Sequence, residues 1–231
     1  MPDSFDGAWR RRGAEGLTIV VSILLALAAE AAWGYRGDRA AEREILAGLR
    51  VEFAQAESEI RSDLRAREEI LGWTRRLLAV RAGSAPEPPP DSLAEMLSRT
   101  LGYRFYTPAH PVLEDLLASG RLELIRSDTL RGQIMRYMQE RDRIGVSEER
   151  ERDLAANRIE PFLETRVDLA YLALQPSDTA RSARQARRFY AAIREPAFGS
   201  LLYYRIVRTE GAAGFGEILL GVIQDVRRSL D

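Results

Sequence analysis

Apolar and polar positions divide this chain into one continuous apolar run near the amino terminus and a long region of amphipathic helical spacing after it. The run covers 17–35 and contains a single charge, Glu30. A helix of this length, at about 1.5 Å per residue, nearly spans a hydrocarbon core of about 30 Å. Trp33 and Tyr35 make a poor context for signal-peptide cleavage. The pattern therefore predicts a short tail over 1–15 and an uncleaved transmembrane helix over 16–35.

Residues typical of membrane surfaces flank this run. Tryptophan and tyrosine are enriched at headgroup level, and Glu30 lies near enough to the end of the run to favour an interfacial role over a proton relay. The predicted membrane-interface residues are Trp9, Arg10, Arg11, Arg12, Glu30, Trp33 and Tyr35. The arginines before the run form one block, whereas those after it alternate with acidic residues. This asymmetry favours an amino terminus on the inside of the membrane and a body on the outside.

Small residues recur on one flank of the run. Ser22, Ala26 and Ala29 follow one another by four and three positions, so they share a helix face. Small side chains let a second transmembrane helix approach closely, which predicts a partner-packing face. The alternative is that the spacing only reflects how common alanine is in this chain.

The region over 36–82 has no proline and predicts a long helix. Its apolar residues recur at helical spacing: Leu46, Leu49, Phe53, Ala56, Ile60, Leu64, Leu71 and Leu78. This stripe forms either a coiled-coil seam or, as we favour, a contact with later helices of the same chain. The oppositely charged pairs Glu57 with Arg61 and Asp63 with Arg67 have the four-residue spacing typical of an exposed helix face.

A linker separates this helix from the rest of the chain, because 83–92 holds four prolines. The region over 93–231 predicts a helical body that packs on the long helix. Pro111 and Gly120 mark the start and stop of a short helix, and Ser127 caps a long one that bends near Gly145 and Pro161. The predicted fold is all-α: one transmembrane helix that continues into a long helix, followed by a helical bundle.

Composition removes much enzyme chemistry. The chain has 34 basic and 35 acidic residues, so its net charge of -1 does not favour a nucleic-acid partner. Every basic residue is arginine, cysteine is absent, and His110 is the only histidine. A disulfide framework, a thiolate nucleophile, an iron-sulfur cluster and a histidine-based metal site are therefore excluded. We expect neither a cofactor nor an enzyme.

The remaining candidate groups have ordinary interpretations. His110 precedes Glu114 and Asp115, which suggests a weak metal site, but a surface histidine in a proline-rich loop is favoured. The neighbouring carboxylates Glu148 and Glu149 are interpreted as a solvated helix face. A basic face made by Arg181, Arg184, Arg187 and Arg188 is also interpreted as solvated, and contact with anionic lipid is the alternative.

Two groups of residues resemble a known family. The first group is Glu15, Leu24-Leu25-Ala26-Leu27 and Trp33, and the second is Tyr106-Thr107-Pro108, Leu116, Ser119-Gly120, Leu122, Leu124-Ile125, Leu130-Arg131 and Tyr137. Together they resemble an uncharacterised bacterial family of single-pass membrane proteins, although this chain has Ser22 where a glycine is expected. The resemblance implies a location in the bacterial inner membrane, and with the charge asymmetry this gives a cytoplasmic amino terminus and a periplasmic body. It implies no reaction and no catalytic residue.

These patterns predict a non-enzymatic single-pass membrane protein that acts as a structural or accessory subunit and stabilises a larger membrane complex. The expected partners are the lipid bilayer and other membrane-protein subunits, with self-association as a further prediction. One alternative is a sensor or regulator that transmits a signal through the long helix. The other is an enzyme that uses only carboxylates and arginine.

Overall fold

The computed structural model describes residues 5–170 and 179–231, and over these residues it contains helices and no strand. The all-α prediction is thus confirmed. The α-helices are α1 (Phe5–Arg81), α2 (Pro90–Leu101), α3 (Pro111–Ala118), α4 (Asp128–Leu154), α5 (Glu160–Glu164), α6 (Thr179–Arg194) and α7 (Pro196–Leu230). A 3₁₀ turn covers Arg121–Leu124, and a π-helical turn covers Ala155–Ile159.

The chain divides into two compact units. Unit 1 comprises Met1–Leu49 and Val112–Arg126, and unit 2 comprises Arg50–Pro111 and Ser127–Asp231. In unit 1 the backbone amide of Arg126 donates to Glu42 on α1 at 2.9 Å, and the Arg126 guanidinium donates to the Tyr35 hydroxyl at 3.1 Å. These bonds tie the end of the 112–126 segment to α1.

Unit 2 is built on three helices that share a core. α7 runs antiparallel to α1, since Glu57 on α1 contacts Arg227 while Arg75, further along α1, pairs with Glu210. Gly216 of α7 packs closely against both neighbours, because a β-carbon there would lie 2.9 Å from a methyl carbon of Leu64 on α1 and 3.5 Å from one of Ile144 on α4. The apolar stripe predicted over 36–82 therefore packs against later helices of the same chain, as we favoured.

Helix boundaries follow local chemistry closely. Gly120 has φ of 68° and ends the segment after α3, as its sequence position predicts. The helix α4 continues past Gly145 to Leu154, so the bend predicted there stays a prediction. An irregularity lies at the π-helical turn just before Pro161. Proline has no amide hydrogen, so Pro161 cannot donate to the carbonyl of Asn157, four residues earlier.

The structure contradicts the predicted transmembrane helix. Across the part of the chain that is described, no helix combines the length, apolarity and scarcity of charge that crossing a membrane requires. The transmembrane helix over 16–35, the inner-membrane location and the topology inferred from them are therefore wrong.

The cap of α4 gives a first testable prediction. Ser127 accepts a hydrogen bond from the Leu130 amide at 3.2 Å, which satisfies one of the free donors at the helix start. We expect Ser127→Ala to lower the free energy of unfolding, measured by urea titration, by about 1 kcal/mol. Ser62→Ala, in the exposed interior of α1, is the control and should be neutral or slightly stabilising. An equal effect of both substitutions would argue against the cap.

Candidate functional site

An exposed apolar segment of α1 is the main surface feature of unit 1. Its large side chains are each more than half exposed: Ile23, Leu24, Leu25, Leu27, Trp33 and Tyr35. Trp33 is the most exposed of them, at 80%. The core of unit 1 lies elsewhere and includes Leu49, Leu113 and Leu116, which are fully or almost fully buried. The segment thus presents apolar area that the described part of unit 1 leaves uncovered.

The predicted site residues fall in or near this segment. Ser22 and Ala26 are exposed on α1, whereas the side chain of Ala29 lies outside the described residues, so the predicted packing face stays a prediction. The side chains of Trp9, Arg10, Arg11 and Arg12 also lie outside the described residues. Glu30 and Trp33 are exposed. The interface role of all these residues depended on the transmembrane helix corrected above.

Tyr35, the last predicted interface residue, is engaged within unit 1. The guanidinium of Arg126 lies over its ring, 4.6 Å from the centroid, and donates to its hydroxyl. Hydrogen bonds from Arg126 and then Arg39 lower the pKa of Tyr35. Its ring therefore serves as a contact for arginine at the end of the apolar segment.

A cluster of five charged side chains is buried in unit 2. We call it the ionic cluster, and its members are Asp63, Arg67, Glu148, Glu151 and Arg205. Arg67 of α1 lies at its centre and is fully buried. Its guanidinium donates to Asp63 Oδ2 and to Glu148 Oε1, each at 2.7 Å. A third bond runs from Arg67 to Glu151 of α4.

The second arginine of the cluster joins α7 to the end of α2. Arg205 donates through Nε to the Thr100 carbonyl at 3.1 Å, and another of its nitrogens donates to the Gly102 carbonyl. Its Nη1 lies 3.3 Å from Glu151 Oε1, which also accepts a bond of 2.6 Å from the Thr209 hydroxyl. The ionic cluster therefore connects α1, α4, α7 and the segment after α2.

Helical spacing explains why these residues meet. Asp63 and Arg67 are four apart on α1, Glu148 and Glu151 are three apart on α4, and Arg205 lies four before Thr209 on α7. Residues at those spacings share one helix face. The prediction that Asp63 and Arg67 form an exposed pair is wrong. Glu57 and Arg61, with the same spacing, do pair at 2.7 Å, with half of the Arg61 side chain exposed and most of Glu57 covered.

The ionic cluster has an excess of one carboxylate. Its two guanidiniums and three carboxylates carry a net charge of -1 when all are ionised. Burial raises the pKa of Glu148 to about 7, against the opposing effects of Arg67 and the Tyr106 amide. The interpretation of Glu148 as solvated is wrong, since it is 1% exposed, although its neighbour Glu149 is exposed. The cluster can thus take up a proton near neutral pH.

A series of buried polar side chains continues from the ionic cluster. The Tyr106 amide donates to Glu148 Oε1 at 3.0 Å, and the Tyr106 hydroxyl lies 3.5 Å from that of Tyr137. The Tyr137 hydroxyl lies 2.5 Å from His110 Nε2, and His110 Nδ1 lies 3.7 Å from Glu52 Oε2. Burial raises the pKa of Tyr137 to about 12, so its hydroxyl stays protonated. This series of polar contacts links α4 to α1.

His110 is not the surface residue that the sequence suggested. It is 1% exposed and packs against the rings of Phe53 and Tyr137, with centroids 5.6 and 5.2 Å away. Glu114 and Asp115 are exposed. Among the described residues, no group of three or more possible ligand side chains is placed to hold a metal ion. The histidine therefore belongs to the core of unit 2.

The predicted basic face is partly described. Arg184, Arg187 and Arg188 are exposed on α6, and the side chain of Arg181 lies outside the described residues. Its interpretation as a solvated face stays a prediction.

The ionic cluster is closed to substrates in this structure, because Arg67, Glu151 and Arg205 are fully buried. Its chemistry is therefore that of a buried ionic contact that can exchange a proton. Comparison of the chain with protein-family models, with curated proteins and with solved structures finds no match. The resemblance to a bacterial membrane-protein family stays a prediction.

Proposed function

We propose that this protein is a non-enzymatic helical subunit that associates with another protein through the apolar segment of α1 over 23–35. One observation carries the proposal: six large apolar side chains within this short segment are each more than half exposed. Single exposed apolar residues are common, but a continuous group of them is typical of a protein interaction site. Full burial of a leucine or isoleucine side chain is favourable by about 1.5–3 kcal/mol. A partner that covers this segment would therefore bind with a large favourable contribution from apolar contacts.

The composition of the segment also fits a protein interface. Leucine and isoleucine lie at its amino-terminal end, and Trp33 and Tyr35 add the aromatic rings that interfaces favour. Exposed charges follow directly, at Arg36, Asp38 and Arg39. An apolar centre beside a polar rim is the usual anatomy of such a surface. The expected partner is therefore a protein that presents an apolar face, and a helix is the simplest such face.

Substitution within the segment tests the proposal. We expect the double variant Leu24→Glu, Leu25→Glu to reduce association at least about tenfold. In the complex, two apolar contacts would be replaced by buried charges without partners. The measurement uses the full-length chain with a photo-crosslinking amino acid at Ile23 and quantifies the crosslinked product in cells and after purification. Val51→Glu is the matched control, since Val51 is also exposed on α1 but lies outside the segment.

The identity of the crosslinked product decides between outcomes. A discrete protein adduct that is lost in the double variant and kept with Val51→Glu supports the proposal, and its mass distinguishes a second copy of this chain from another subunit. Equal crosslinking by all three proteins would overturn the proposal. So would binding to phospholipid vesicles that the double variant abolishes while no protein adduct forms.

The alternative of a regulator is favoured by the ionic cluster. A buried carboxyl with its pKa raised to about 7 gives unit 2 a proton-dependent stability in the neutral range. If this proton controls assembly, crosslinking through the apolar segment should change with pH in the wild-type protein and lose that change with Glu148→Gln. An unchanged pH dependence in the variant would remove this alternative.

A further inference from the structure

A groove on the surface of unit 2 runs between the end of α4 and the middle of α7. Its volume is about 580 Å³, within the range of small-molecule sites. The residues that matter for its chemistry are Arg150, Asp153, Asn157, Arg158, Tyr204 and Arg208. Arg150 lies on α4, Arg158 in the π-helical turn, and Arg208 on α7 across the groove.

Three arginines line this groove without a carboxylate partner among the described residues. Within the described part of the chain, no carboxylate lies within ion-pair distance of Arg150, Arg158 or Arg208. Asp153, the one acidic residue of the lining, is held by its neighbour Arg152 at 3.1 Å. Other arginines of unit 2, such as Arg61 and Arg152, do pair with acids. Like charges brought together repel one another unless an anion lies between them.

A π-helical turn forms part of this groove. An extra residue in such a turn rotates the following side chains relative to a regular helix, and such turns occur frequently at functional sites. Here the turn over Ala155–Ile159 contains both Asn157 and Arg158 and presents them to the groove.

We propose that this groove binds a small phosphate-bearing ligand. Guanidinium groups form paired hydrogen bonds to phosphate oxygens, and two or three of them can surround one phosphate. The exposed ring of Tyr204 forms one wall, and the Asn157 amide can donate a further bond. The groove lies in unit 2 and the apolar segment in unit 1, so this proposal and the proposed function fail independently.

Calorimetric titration of the full-length protein with inorganic pyrophosphate tests the site. We expect one site per chain, with binding weakened about tenfold by Arg158→Gln and by Arg208→Gln, because each removes one charged donor pair. Arg65→Gln is the control, because Arg65 is exposed on α1 and does not line the groove. All three residues lie on the surface, and circular dichroism should show unchanged helix content.

Either of two results would overturn the proposal. The first is no detectable binding at pyrophosphate concentrations up to about 10 mM. The second is equal weakening by Arg65→Gln and the groove variants, which would indicate diffuse attraction to surface charge rather than a site.

Discussion

Replacing Arg67 with methionine is expected to lower the free energy of unfolding by about 3–5 kcal/mol. Methionine fills much of the space of the arginine stem. The loss of stability therefore reflects the removal of the charge more than the removal of volume. It leaves Asp63, Glu148 and Glu151 facing one another in the core without the guanidinium that all three contact. A buried charge without its partner retains its desolvation cost and gains nothing in return.

The matched control lies six residues earlier on the same helix. Arg61 pairs with Glu57 at 2.7 Å, but half of the Arg61 side chain is exposed. We expect Arg61→Met to change stability by no more than about 1 kcal/mol. Urea unfolding followed by circular dichroism measures both variants. A loss below about 1 kcal/mol for Arg67→Met would show that water enters the cluster and that it contributes little to the fold.

The helical fold could be predicted from the sequence because spacing determines which residues face the core. Residues 49, 53, 56, 60, 63, 67, 70, 74 and 77 follow one another by steps of four and three, and all of them are buried in α1. The apolar members of this series made the stripe visible. The same steps place Asp63 and Arg67 on the buried face, a signal that was available in the sequence and was interpreted as an exposed pair.

The site itself depends on contacts between distant parts of the chain. Asp63 with Arg67 and Glu57 with Arg61 have the same spacing and the same charges, yet only the first pair is buried. The difference arises because Glu148, Glu151 and Thr209 lie opposite Arg67 in the folded chain. A sequence without a known register between its helices does not reveal such partners.

His110 illustrates the same limit. Prolines on both sides predict an irregular segment, and irregular segments usually lie at the surface. The segment is irregular, but the Tyr137 hydroxyl and the ring of Phe53 provide a polar and an apolar contact that bury the imidazole. A tyrosine on the inner face of α4 needs such a hydrogen-bond partner, and this need is the only sequence signal that pointed to His110.

The pH dependence of unit 2 provides the second large effect. Because burial raises the pKa of Glu148 to about 7, from 4.5 in the unfolded chain, the folded protein holds this proton more tightly. The contribution of Glu148 to stability is therefore fully present below about pH 4.5 and is lost as the pH rises through about 7. We expect the total loss to be about 3 kcal/mol, of which about 2 kcal/mol falls above about pH 5.5.

A difference measurement separates Glu148 from every other titrating group. Glu148→Gln keeps the shape and the bond from Arg67 but cannot ionise, and the other members facing this position, Asp63, Arg67 and Glu151, stay in place. Urea unfolding of both proteins between about pH 5.5 and about pH 8 avoids the acid range in which Glu57, with its pKa lowered to about 2, loses its pairing. As the pH rises across this range, the free energy of unfolding of the variant should increase by about 2 kcal/mol relative to that of the wild type. Parallel curves would mean that Glu148 is already ionised at the lower pH, and the ionic cluster would then carry its net charge of -1 throughout this range.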